Sequence, residues 1–149
     1  MPEQTTRTII VGGSVPEIYR VWSNFENFPR FMKHIKSVTR AGDRRSHWVA
    51  EGALGRKAEW DAETTRLEEN KRIAWRSTDD SSVKTSGQVT FNELPKGQTE
   101  VTVTLQYVAP AGKAGETVAK VVSDLDGRLE EDLRNFKAYA EGMKERVAK

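Results

Sequence analysis

No cysteine occurs among the 149 residues, which removes disulfides, thiolate nucleophiles and zinc-thiolate sites together and leaves the redox compartment open. No apolar run approaches the roughly 18 residues of a membrane span. The start, Met1 to Arg7, is polar and lacks the basic segment followed by an apolar stretch that marks a signal peptide, so a cytoplasmic chain with no integral membrane span is expected. Charge of one sign is also missing. The 24 Lys and Arg and 22 Asp and Glu are interleaved, for a net charge of +2, and offer no field to nucleic acid or an anionic membrane. No nucleic-acid partner is therefore expected. Only two histidines are present, His34 and His47, neither in a triad arrangement nor at metal-ligand spacing. No phosphate-cradling glycine motif occurs, since Gly12-Gly13 precedes a capped helix without the required spacing. No metal and no cofactor are expected.

What is present is a chain that should fold. Hydrophobic residues make up 36% and charged residues 31%, with the aromatics and β-branched residues that disordered chains lack. The length fits one domain over residues 1–149, and a domain of this size buries roughly 70% of its unfolded surface. The order of patterns is the most informative feature. A short strand, Thr5 to Val11, runs into Ser14-Val15-Pro16-Glu17, a capping-box pattern with proline in the first helical turn. Ile18, Val21, Trp22 and Phe25 then repeat at helical spacing, Asn24 and Pro29 interrupt, and Phe28, Phe31 and Met32 predict a second short helix.

Beyond Ile35 the period changes to two, and six strands are expected: Ser37 to Arg40, Ser46 to Leu54, Lys57 to Leu67, Arg72 to Ser77, Ser86 to Leu94 and Glu100 to Val108. Short turn clusters between them favour antiparallel hairpins. Alternation puts Trp60, Ala62 and Thr64, then Ile73, Trp75 and Ser77, then Val89 and Phe91, then Val101, Val103, Leu105 and Tyr107 on one face each; Lys57, Glu59, Asp61 and Glu63, with Thr102, Thr104 and Gln106, fall on the other. The chain closes with a helix from Gly115 to about Met143, whose stripe Val118, Val121, Val122, Leu125, Leu129, Leu133, Phe136, Tyr139 and Met143 is spaced by three and four. The fold class is α+β: a curved antiparallel sheet wrapped around one long helix, with two short helices after the first strand.

The segments Val15 to Met32, Glu59-Trp60-Asp61-Ala62-Glu63, Ile73-Ala74-Trp75-Arg76-Ser77, Gly87-Gln88-Val89-Thr90-Phe91 and Asp132 to Lys137 carry a resemblance. The chain resembles the START-like (SRPBCC, helix-grip) superfamily and, within it, the polyketide cyclase/dehydrase branch. The resemblance implies a seven-stranded sheet around the C-terminal helix and a hydrophobic cavity that relatives use for lipids, hormones, isoprenoids or polyketide intermediates.

Candidate site residues follow from the inward aromatic face. Trp48, Trp60, Trp75, Phe91 and Tyr107 are core residues that can also line a pocket, with Thr64, Ser77 and Tyr107 as polar contacts and Val118, Val122 and Leu125 from the helix. Ala109, Pro110, Gly112 and Gly115 lie in a small-residue loop that is a candidate gate. No residue is assigned a catalytic role. The row Glu59, Asp61 and Glu63 steps by about 7 Å along one strand face, a spacing suited to acid and base work. Burying it would expose Trp60, so it is assigned to a solvated outer face. Arg66 and Arg76 have a weaker claim, as carboxylate-holding groups beside a pocket. The charged stretch Asp124 to Lys137 is likewise expected to be a solvated helix face. The expected function is binding of a hydrophobic small molecule between sheet and C-terminal helix, as carrier or sensor, with a weak homodimer left open. One alternative is a cyclase or dehydratase, which requires a titratable group inside the cavity; another is a protein-interaction module with a vestigial pocket.

Overall fold

The computed structural model describes residues 3–51, 55, 57–78, 84–108 and 128–148. The strands are β1 (Glu3–Gly12), β2 (Ile35–Gly42), β3 (Arg45–Glu51), β4 (Lys57–Glu68), β5 (Arg72–Ser77), β6 (Lys84–Leu94) and β7 (Gln98–Val108). Helix α1 (Val15–Ser23) and a 3-10 helix (Phe25–Arg30) follow β1, and α2 (Leu129–Ala148) closes the chain. All strand pairs are antiparallel, in the order β1-β7-β6-β5-β4-β3-β2. The first strand thus pairs with the last, and α1 with its 3-10 extension carries the chain from one sheet edge to the other.

Local chemistry explains the boundaries. Ser14, extended at φ −75° and ψ 155°, caps α1: the Glu17 N–H donates to its hydroxyl at 3.4 Å, and that hydroxyl donates to the Glu17 carboxylate at 3.1 Å. The β4–β5 turn places Asn70 at φ 63°, a left-handed conformation that asparagine tolerates better than most residues. The C-terminal helix runs five residues past the expected Met143, because Lys144 to Ala148 contain no breaker. Residues 109–127, which hold the expected beginning of that helix, lie outside the described residues. The third strand ends at Glu51, with 52–54 likewise outside.

Tertiary packing rests on the two apolar helix faces. Ile18, Val21 and Trp22 of α1 are buried, as are Leu129, Leu133, Phe136 and Ala140 of α2, spaced four, three and four along the helix. Trp22 joins them, with ring centroids 5.4 Å from Phe28, 5.3 Å from Phe31 and 4.7 Å from Phe136. The helix α2 is tied to the end of β1 by the Gly12 N–H, which donates to Glu141 Oε2 at 2.9 Å. Among the described residues no helix is long and apolar enough to cross a membrane.

Candidate functional site

The concave face of β3 and β4 is written by register. Ser46 faces Ala62, Trp48 faces Trp60, and Ala50 faces Ala58, so one tryptophan pair sits between two pairs of small side chains. All six residues are buried. The small neighbours leave room for the indoles to lie over the sheet, and Trp48 becomes the middle of a stack: its centroid is 5.9 Å from Trp60 at 18° and 5.9 Å from Trp75 at 21°. Its N–H donates to Ser46 Oγ at 2.8 Å.

These three indoles form one wall of a cavity of about 50 Å³, with Phe28 from the 3-10 helix, Met32 just after it, Ile35 at the start of β2 and Leu105 from β7. Thr85, Ser86 and Gln106 supply polar atoms at the β6–β7 side. The volume accommodates roughly three or four waters or a compact group of similar size.

One ionisable side chain lines this cavity among the described residues: Asp132, in the first turn of α2 and 3% exposed. Burial pushes its carboxyl up to about 7, against the pull of a hydrogen bond from the Lys33 backbone and of the nearby His34 and Arg128; Glu131 adds to the rise. A carboxyl poised near neutrality in an apolar enclosure can hold or release a proton under ordinary conditions. The expectation that Asp124 to Lys137 is a solvated face is therefore corrected at Asp132, while the residues before 128 lie outside the described part. The signal was available, since Asp132 stands three residues after Leu129 and four before Phe136, on the apolar stripe itself.

Of the residues expected at the site, Trp60 and Trp75 come together on the cavity wall. Ser77 is buried, and its hydroxyl accepts the Thr85 N–H at 3.1 Å, so it braces the strand that carries Thr85. Thr64 keeps the expected face, as register partner of Trp75 just before a register shift at Arg66, but it does not line this cavity: it borders a separate cleft with Arg44 and Arg45. Phe91 is partly buried and meets Tyr19 edge-on at 5.7 Å, away from the cavity lining. Tyr107 stands opposite Thr85 in β7, its side chain outside the described residues. Val118, Val122 and Leu125, and the gate candidates Ala109, Pro110, Gly112 and Gly115, also lie outside them. Gln106, assigned by alternation to the wet face, reaches the cavity, while Thr85 and Ser86 have no distinguishing pattern in the sequence.

The remaining charged candidates face solvent. Arg76 approaches Glu63 at 3.7 Å and Arg66 approaches Glu68 at 3.9 Å, all four on exposed or half-exposed side chains. His47 bridges Asp61 (2.8 Å from Nδ1) and Glu59 (3.1 Å from Nε2) on the outer face, which raises its pKa. His34 Nδ1 lies 2.9 Å from the Glu51 carbonyl, where it links two chain segments. Among the described residues no group of three or more His, Asp or Glu could hold a metal ion.

The family profile described as polyketide cyclase / dehydrase and lipid transport matches residues 11–134, a span that contains every described cavity residue. The chain belongs to this family. An uncharacterized 17.2 kDa protein of Streptomyces lincolnensis is 31% identical over 136 residues, covering 90% of this chain and 87% of the relative. The crystal structure of DR_A0006 from Deinococcus radiodurans superposes with a TM-score of 0.68 at 32% identity, covering 91% of this chain and 95% of that one. A START superfamily protein from Mycobacterium smegmatis superposes with a TM-score of 0.74 at 18% identity, covering 94% and 98%, and shares the fold. The seven-stranded curved sheet with its C-terminal helix is the helix-grip arrangement of START-like proteins.

Proposed function

We propose that this family member encloses a hydrophobic small molecule, of lipid, isoprenoid or polyketide-like character, between the concave sheet face and the C-terminal helix, as a carrier or sensor. The observation that carries this reading is the cavity wall, in which the stacked indoles of Trp48, Trp60 and Trp75 face Phe28, Met32, Ile35 and Leu105. An apolar enclosure with a few polar groups is what ligand selection by burial requires. The cavity of about 50 Å³ takes a molecule of a few heavy atoms, so larger cargo requires its aromatic walls to part. On this reading Val118, Val122 and Leu125 complete the wall and Ala109, Pro110, Gly112 and Gly115 form the gate; both assignments rest on the sequence. Native mass spectrometry of gently purified protein, followed by release and identification of what it holds, tests the reading. A stoichiometric apolar molecule whose retention weakens in Trp75→Ala is the expected result. Protein that is empty and quenches no tryptophan fluorescence with any apolar probe would sink it.

A cyclase or dehydratase is the second reading, favoured by one observation: the Asp132 carboxyl lies in the cavity wall and titrates near 7. Such a group can take a proton from, or return one to, a carbon or oxygen of an enclosed substrate. Deuterium exchange beside the carbonyl of a cyclic ketone probe, catalysed by the wild type and absent in Asp132→Asn, would support it; identical exchange in both would remove it.

A further inference from the structure

Two residues of the cavity wall carry a buried hydrogen-bonding atom with no partner among the described residues: Trp60, at Nε1, and Thr85, at Oγ1. Buried polar atoms are nearly always paired, so each exception calls for an explanation. The other polar groups around the cavity are committed. Trp48 donates to Ser46, Ser86 Oγ donates to Gln106 Oε1 at 3.3 Å, and Gln106 Nε2 donates to Gln4 Oε1 at 2.6 Å. Asp132 is engaged by the Lys33 backbone. What remains is one donor that cannot accept, the indole N–H, and one hydroxyl that can donate.

Resting on the binding reading above, we propose that the cavity selects an apolar molecule bearing a hydrogen-bond-accepting oxygen, a ketone, ester or ether, and that Trp60 Nε1–H and the Thr85 hydroxyl are the groups that recognise that oxygen. A pure hydrocarbon would leave both atoms unsatisfied, and a group that only donates would leave the Trp60 N–H without an acceptor. The two indoles of the facing register pair differ in this respect. Trp48 has its partner built in at Ser46, whereas Trp60 is 5% exposed, 5.9 Å away in the same stack, and has none. Trp22 also carries an unpartnered Nε1, but it does not line the cavity and takes no part in recognition.

The test compares cyclopentanone with methylenecyclopentane, which has the same shape with the oxygen replaced by CH₂. Binding is followed through the indole N–H signals of the four tryptophans by NMR, with Trp60→Phe identifying the Trp60 signal. Thr85→Val exchanges an unpaired hydroxyl for a methyl of the same shape and should not lower the melting temperature appreciably, whereas Trp60→Phe also shrinks a stacked core ring and should lower it. The expected result is a downfield movement of the Trp60 signal with the ketone and not with the hydrocarbon. The ketone-to-hydrocarbon affinity ratio should fall about five- to tenfold in Trp60→Phe, and fall also in Thr85→Val. If Trp60→Phe does not fold, the wild-type signal and Thr85→Val carry the same test. A ratio unchanged in the variants, or a Trp60 N–H held by an internal water that the ketone does not disturb, overturns the proposal and leaves hydrophobic binding standing. Failure of both probes to bind overturns the two together.

Discussion

The indole of Trp75 lies against the backbone of Gly87: a Cβ at Gly87 would stand 2.4 Å from Trp75 Cζ2 and 2.7 Å from Cε2. The two residues are register partners across β5 and β6, so the contact is set by the sheet and cannot slide away. Glycine is unfavourable inside a strand, and its presence here marks a close approach by another group.

Gly87→Ala should therefore push Trp75 out of the stack with Trp48. The cost expected for such overpacking is about 1–3 kcal/mol, even though alanine favours the strand more than glycine does. Near-ultraviolet circular dichroism would report the loss of indole order, and urea unfolding the loss of stability. A variant as stable as the wild type with an unchanged aromatic spectrum would show that the ring has another place to lie.

His47, held between Asp61 and Glu59, gives a pH signature of defined sign. Its pKa is raised chiefly by the hydrogen bond to Asp61, then by that to Glu59. A histidine whose folded pKa exceeds its unfolded value contributes stability in full below about pH 6.5, and that contribution disappears as pH rises through the folded pKa. The side chain is 41% exposed, so the effect is that of a surface pair, ~0.2–1 kcal/mol and sensitive to salt. Thermal melts of His47→Gln and wild type should differ most near pH 5.5 in low salt and converge above pH 8. A difference that grows with pH would contradict the assignment.

Glu141 joins α2 to β1 through the Gly12 N–H at 2.9 Å, and Lys137 Nζ lies 2.5 Å from the same oxygen. Glu141→Ala leaves Gly12 without its side-chain acceptor at the point where β1 ends. The expected loss is roughly 0.5–1.5 kcal/mol, with faster hydrogen exchange confined to the Gly12 amide and its neighbours. Unchanged exchange at Gly12 would mean that water replaces the carboxylate at no cost.

How far the sequence discloses this molecule depends on which periodicity governs each residue. Trp60 and Trp75 are legible because period-two alternation on β4 and β5 sets them beside Ala62, Ile73 and Ser77, and the structure buries all five. Thr64 keeps the same alternation, opposite Trp75, but it stands one residue beyond the last β3–β4 pair and borders a separate cleft, so its face is legible while its distance from the cavity is not. Asp132 is hidden by its neighbours Glu130 and Glu131, whose charges suggest a wet helix face, although its spacing from Leu129 and Phe136 places it on the dry one. Thr85 is beyond sequence reading altogether, because whether its hydroxyl finds a partner is decided by side-chain packing across two strands. The size of the cavity has the same origin, since it depends on how the rings of Trp48, Trp60 and Trp75 tilt and not on the pattern that brings them together.

Asp132 ties that enclosure to a pH dependence opposite to that of most carboxylates. A salt-bridged acid has a depressed pKa and lends stability as pH rises; Asp132 has its pKa raised from 3.8 to about 7, because burial penalises the charged form. Its contribution is therefore greatest below pH 3.8 and is lost progressively between about pH 4 and 7, as the folded protein retains a proton that the unfolded chain has released. Asp132→Asn keeps the shape and an acceptor for the Lys33 backbone while removing the titration. The variant should be more stable than the wild type above pH 7, and the difference between the two should shrink steadily as pH is lowered toward 4. Ligand retention should follow the same course if the cargo sits against the neutral carboxyl, with wild-type affinity declining from pH 5 to 8 and the variant's staying flat. A pair of melting curves separated by a constant interval across this range would show that the group titrates normally, and that the cavity is wetter than its walls suggest.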